Sequence, residues 1–140
     1  MIRYNIDAVV DELIRVSCGE IFATPNPDIM MIKEFESRHG VLLSDDHVVL
    51  LVRASNIYFG NIDVLTITKG EDGQRELYEA LKYIRCQGVS RDWIPVCESN
   101  GDYFCVDSDG VVHFWSHNGP TDEKWESLAH WVKQVWIDEG

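Results

Sequence analysis

Two dipeptides, Asn100-Gly101 and Asp109-Gly110, constrain this chain more than any other feature of it. Both favour turns with positive φ at their central residues, and such turns join antiparallel strands. They divide residues 93–116 into three apolar runs, 93–98, 102–107 and 111–116. Two-residue turns at both places would set Glu98 opposite Tyr103 and Asp107 opposite Val112. One face of this meander then carries Ile94, Val96, Tyr103, Cys105, Val112 and Phe114. The other carries Trp93, Cys97, Phe104, Val106, His113 and Trp115. Both faces are apolar, so the sheet should be covered on both sides.

The flanking segments read mostly as helices. Ile6, Val9, Val10, Leu13 and Ser17 recur at helical spacing, with Gly19 as a stop. The prolines of Thr24-Pro25-Asn26-Pro27-Asp28 forbid helix, and Asp28 can cap one over 29–39 that buries Ile32 and Phe35 and ends at Gly40. Residues 47–53 suit a buried strand by their β-branched content, or a helix capped by Ser44 or Asp45. Residues 57–59 and 62–67 predict strands around Gly60-Asn61. Beyond Gly70 to Gly73, Leu77, Ala80, Leu81 and Ile84 form a helical stripe. A final helix is expected from Thr121 or Asp122, with Trp125, Leu128, Ala129, Val132, Val135 and Trp136 on one stripe. Trp131 lies at the edge of that stripe, where it should be partly exposed. This order predicts an α+β fold, one domain over residues 1–140: an antiparallel meander sheet packed with N-terminal helices, a central helix and a C-terminal Trp-rich helix.

Charge narrows the partners. Twelve Lys and Arg against twenty-four Asp and Glu give −12. Residues 1–70 hold six basic and ten acidic side chains, residues 71–140 six and fourteen. Such a field repels phosphate backbones and anionic bilayers, so nucleic acid and membrane are poor partners and a basic protein is the complement. The opening residues meet Asp7 before any apolar leader core could form, and the longest apolar run, 48–52, cannot span a bilayer. Four irregularly spaced cysteines (Cys18, Cys86, Cys97, Cys105) form no CxxC and suit reduced thiols in the cytoplasm.

Motifs for chemistry are missing. The chain has no GxGxxG, GxxxxGK[ST] or HExxH. Asp107-Ser108-Asp109-Gly110 imitates an EF-hand centre, but Cys105 and Ser116 would occupy its terminal ligand positions. Cys97, Cys105, His113 and His117 crowd one meander, yet the expected pairing points the two cysteines to opposite faces, where they read as small buried hydrophobes. His39 and His47 read as surface or capping groups, and Asp45-Asp46 as a helix N-terminus. Neither an enzyme nor a cofactor is predicted. The acids Glu98, Asp102, Asp109, Asp122 and Glu123 are instead the candidate long-range attraction for a partner, and Trp131 the candidate anchor.

The stretch from Ile32 through Phe35, Glu36, Gly40, Leu43-Ser44 and Asp45-Asp46 to His47 resembles the opening signature of the SUKH superfamily. Ile94-Pro95, Gly101-Asp102 and Asp107 are similar to its central hairpin, and Phe114-Trp115-Ser116-His117 with the Trp-rich end to its C-terminal part. The likeness spans roughly residues 28–137. Ser44 stands where the family has proline, His47 where it has an aromatic, and Asn56 lacks the two glycines that usually follow it. The resemblance implies that 46–54 is a helix, that Asp107 caps the Asp109-Gly110 turn, and that no catalytic residues are shared. It also implies an interaction protein. Bacterial members commonly neutralise a cognate toxin, often a nuclease, and eukaryotic members include a regulator of yeast cell-wall synthesis. The expectation is a cytoplasmic immunity protein, monomer or weak dimer, that occludes a basic toxin. The alternatives are a regulatory binding module without a toxin and a small-molecule or metal-dependent enzyme.

Overall fold

The computed structural model describes residues 3–139; Met1 and Ile2, on which the reading of the opening segment partly falls, lie outside the described residues, as do Gly140 and the side chain of Pro120. Helix α1 (Ile6–Val16) starts where the Asn5 side chain accepts the Ala8 N–H, and it buries Ile6, Val9, Val10 and Leu13 as their spacing predicts. Helix α2 (Ile29–His39) is capped by Asp28, buries Ile32 and Phe35, and stops at Gly40 with φ 64°, a left-handed conformation that favours glycine. Helix α3 (Asp45–Ala54) is capped by Ser44, with Asp45 and Asp46 in its first turn. The ambiguity over 47–53 resolves to helix. Helix α4 (Leu77–Cys86) buries Leu77, Ala80, Leu81 and Ile84.

Strands β1 (Ile94–Ser99), β2 (Asp102–Val106), β3 (Val112–Ser116) and β4 (Gly119–Trp125) form one antiparallel meander in chain order. At Asn100-Gly101 both residues have positive φ, 53° and 89°, and Glu98 pairs with Tyr103 as expected. The second turn differs. Asp107 N–H donates to the Val111 carbonyl (2.9 Å), which makes Ser108-Asp109-Gly110 a three-residue loop with Gly110 at φ 88°. Val106 therefore faces Val112, and the register is one residue off the two-residue prediction. Because side chains alternate, that single step exchanges the faces of the whole third strand. Tyr103 and Cys105 share a face with Trp115 and His113, and Phe104 and Val106 share the other with Phe114 and Val112.

Three further expectations need correction. Residues 57–67 make isolated bridges (Ile21 with Ile57, Phe59 with Ile62, Val64 with Cys97) and no ladder. Val64, Leu65, Thr66 and Ile67 are all buried, so this stretch serves as core filling on both its sides. The segment from Gly119 to Trp125, expected to open the last helix, is the fourth strand, with Trp125 opposite Val112. The helix cap is Ser127, whose Oγ accepts the His130 N–H (3.2 Å), and Thr121 donates its hydroxyl to the Phe114 carbonyl. Helix α5 (Leu128–Trp131) then widens into a π-helical segment (Val132–Ile137), which brings Trp131 and Trp136, five residues apart, to the same buried side. Trp131 is 0% exposed, where α-helical spacing had left it at the rim.

Candidate interaction site

The sheet distributes the candidate acids unevenly. Glu98 and Asp102 flank the Asn100-Gly101 turn, where a Glu98 carboxylate oxygen accepts the Gly101 N–H (2.6 Å). Asp102 accepts both the backbone N–H of His117 (3.0 Å) and a contact from its Nδ1 (2.6 Å), and these bonds hold its carboxyl below the usual range. Asp109 sits at the opposite end of the sheet, five residue steps from Asp102 to Asp107 and hence roughly 17 Å away. That is about two Debye lengths at physiological salt, so the two ends do not act as one field. Asp122 and Glu123 are exposed on β4, the outer strand. Trp131 is enclosed and cannot touch a partner.

Asp107 organises the lower turn. One of its carboxylate oxygens accepts the N–H groups of Asp109 (2.9 Å) and Val111 (3.0 Å), and the other lies 2.7 Å from His113 Nε2. Partial burial raises its carboxyl, but the bonds from His113, Val111 and Asp109 outweigh that and leave it below its ordinary value. His113 in turn stacks on Trp93 at 4.3 Å. Asp107→Ala strips two turn N–H groups and a histidine of their acceptor, with an expected cost of about 1–2 kcal/mol in urea unfolding. Asp107→Asn, which keeps one acceptor, should cost less.

The titratable groups in the core are packed for structure. Burial pushes the thiols of Cys97 and Cys105 up to about 12, so neither is a thiolate at neutral pH. They point to opposite faces, Cys97 across from Phe104 and Cys105 across from His113. Among the described residues, no three His, Cys, Asp or Glu side chains gather as a metal-binding group. Of the two histidines read as surface or capping groups, His47 is buried and His39 is half-buried at the end of α2. His47 is 1% exposed, and its Nδ1 has no hydrogen-bond partner among the described residues. His39 stacks on Tyr78 (4.1 Å) and lies 3.0 Å from Glu71. Glu36 accepts the Leu43 N–H (2.8 Å) and so ties down the loop between α2 and α3.

The register correction exposes a feature that sequence pairing concealed. Phe104, Phe114 and Trp125 share one sheet face, with Phe104 4.8 Å from Phe114 and 5.6 Å from Trp125, ring centre to ring centre. With Val135 they line an open slot of about 290 Å³ whose rim carries Glu123 and Glu139. Trp131 packs against Phe104 from inside (5.2 Å) and fixes its ring. No motif marks this slot; both the three-residue loop at Ser108-Asp109-Gly110 and the strand assignment of Gly119–Trp125 are needed to reveal it.

The chain is thus an α+β domain with a four-stranded antiparallel meander whose outer strand exposes Asp122 and Glu123. The SUKH family profile described as SMI1-KNR4 cell-wall (SUKH_5) matches residues 6–137, and the chain belongs to that family. It is similar to a protein from Pseudomonas syringae pv. tomato of known crystal structure, at 30% identity and a TM-score of 0.83, over 94% of this chain and 98% of that one. Among curated proteins, none matches it. Among the described residues, no helix is long and apolar enough to cross a membrane.

Proposed function

We propose that this chain is a cytoplasmic immunity protein without catalytic activity, which neutralises a basic, nuclease-type toxin by covering it. The observation that carries this reading is the SUKH family match across residues 6–137, and the −12 charge supports a basic partner. The binding surface in this reading is the edge strand β4, where Asp122 and Glu123 are exposed and the aromatic slot opens beside Trp125. Glu98, Asp102 and Asp109 serve as peripheral charges that speed encounter, and the protein works as a monomer or weak dimer. Co-expression with the neighbouring gene tests the proposal. A neighbour that is toxic alone and harmless with this chain supports it; a neighbour that still kills overturns it.

Charge at the rim acts mainly on association, and salt screens it. Reversing Glu98, Asp122 and Glu123 to lysine should slow association with the toxin about tenfold or more at low salt and much less at high salt. Stopped-flow fluorescence would show this, and a rate indifferent to both changes would reduce the acidity to a solubility feature. The cell-wall description of the family favours a second reading, a regulatory binding module with no toxin. A genome neighbourhood without a toxin gene separates the two.

A further inference from the structure

We infer that the slot formed by Phe104, Phe114 and Trp125 receives a single arginine side chain of the partner, with Glu123 and Glu139 meeting its guanidinium. This rests on the reading that the partner is a basic protein. At about 290 Å³ the open slot has room for one long side chain. Its walls are the rings of Phe104, Phe114 and Trp125 with Val135, and Glu123 and Glu139 complete its lining. A planar, weakly hydrated cation stacks on such faces while its fork reaches carboxylates, which a compact ammonium does less well.

Among the described residues, nothing of the chain's own fills the place. Lys124 pairs with His113 and so points to the other face of the sheet. Lys133 is held by Glu12 (2.9 Å) and Asp138 (3.2 Å). Among the described residues, no basic side chain lines the slot. The rings are pre-set, since Phe104 rests on the enclosed Trp131, so an incoming side chain need not order them.

Titration of the intact chain with N-acetyl-arginine methylamide, followed by NMR of the aromatic side chains, tests the assignment. Saturable shifts confined to Phe104, Phe114 and Trp125 are expected, with none from the neutral citrulline analogue. Glu123→Gln and Glu139→Gln should each weaken binding about two- to fivefold. Phe114→Leu keeps the apolar volume but removes a ring face, and should weaken it similarly with its thermal midpoint nearly unchanged.

Equal shifts with citrulline, tighter binding of the lysine analogue, or shifts spread over the acidic surface would each overturn the proposal. So would ring shifts that change on dilution without ligand, because a second copy would then occupy the slot. Neutralisation of a co-expressed toxin that survives all three substitutions at full strength would sink the slot and leave the immunity reading standing. Arginine capture by a chain with no toxin gene beside it would do the reverse.

Discussion

Trp131→Ala should cost about 3–5 kcal/mol of folding stability, the largest loss expected from any single substitution here. Its indole is 0% exposed, between Phe104 (5.2 Å) and Trp136 (6.4 Å). Removing it leaves a cavity between the sheet and the C-terminal helix that neither element can close by itself. Domains of this kind are stable by only about 5–15 kcal/mol, so the variant should melt far below the parent in calorimetry. Trp131→Phe provides the contrast. The indole Nε1–H is buried without an acceptor among the described residues, and deleting it removes a standing penalty of about 1–3 kcal/mol. The lost volume and the relieved donor offset each other, so the phenylalanine variant should lie within about 1.5 kcal/mol of the parent. A large loss in both variants would mean that the indole nitrogen has a role that the packing does not show.

Acid should destabilise the chain through His47, by roughly 3 kcal/mol between pH 6.5 and pH 4. Burial pushes this imidazole from 6.5 down to about 4, so the folded state holds it neutral. An unfolded chain takes up the proton first as the pH falls, which means that the stabilisation is complete above 6.5 and disappears toward 4. His47→Phe, which supplies the aromatic residue the family resemblance implies at this position, has no proton to gain there. Denaturant unfolding of both chains at each pH isolates the effect. Glu76, raised by burial, contributes with the opposite sign but equally in both chains. A parent and variant that lose stability in parallel from pH 6.5 to 4 would rule out His47 as the source.

Where a local rule decides the backbone, the sequence was legible. Asp28, Ser44 and Gly40 mark helix ends through hydrogen bonds made within a few residues, and each works as its chemistry demands. The Asn100-Gly101 turn is equally local. The failures come where tertiary contacts arbitrate. Asp109-Gly110 is compatible with a two- or a three-residue loop, and the bonds of Asp107 to Asp109, Val111 and His113 select the longer one. Thr121 and Asp122 look like helix caps, but Trp125 can cover Val112 and border Phe104 only from a strand. The burial of Trp131 depends on a π-helical widening that no α-helical periodicity contains.

The candidate site inherits these errors. Its acids were visible one by one as charges, and the structure sets one of them, Glu123, in the lining of the slot. The rings at the centre were visible only as sheet residues. Pairing by the wrong register set Phe104 apart from Phe114, and the helix expected from Thr121 or Asp122 kept Trp125 out of the sheet altogether.

The two long edges of the sheet have different fates. The outer side of β1 is covered, since the Leu65 N–H donates to the Val96 carbonyl (2.8 Å) and Val64 bridges to Cys97. Among the described residues, the outer side of β4 has no neighbouring strand, and such an edge is open to pairing with another chain. Here Pro120 lacks an N–H to offer, the ladder shifts between His113 and Trp115, and Asp122, Glu123 and Lys124 stand exposed along the strand. These features make β4 a poor template for cross-chain sheet growth. They also dictate how anything else docks: a visitor to this edge must be recognised through its side chains, not by lending a strand.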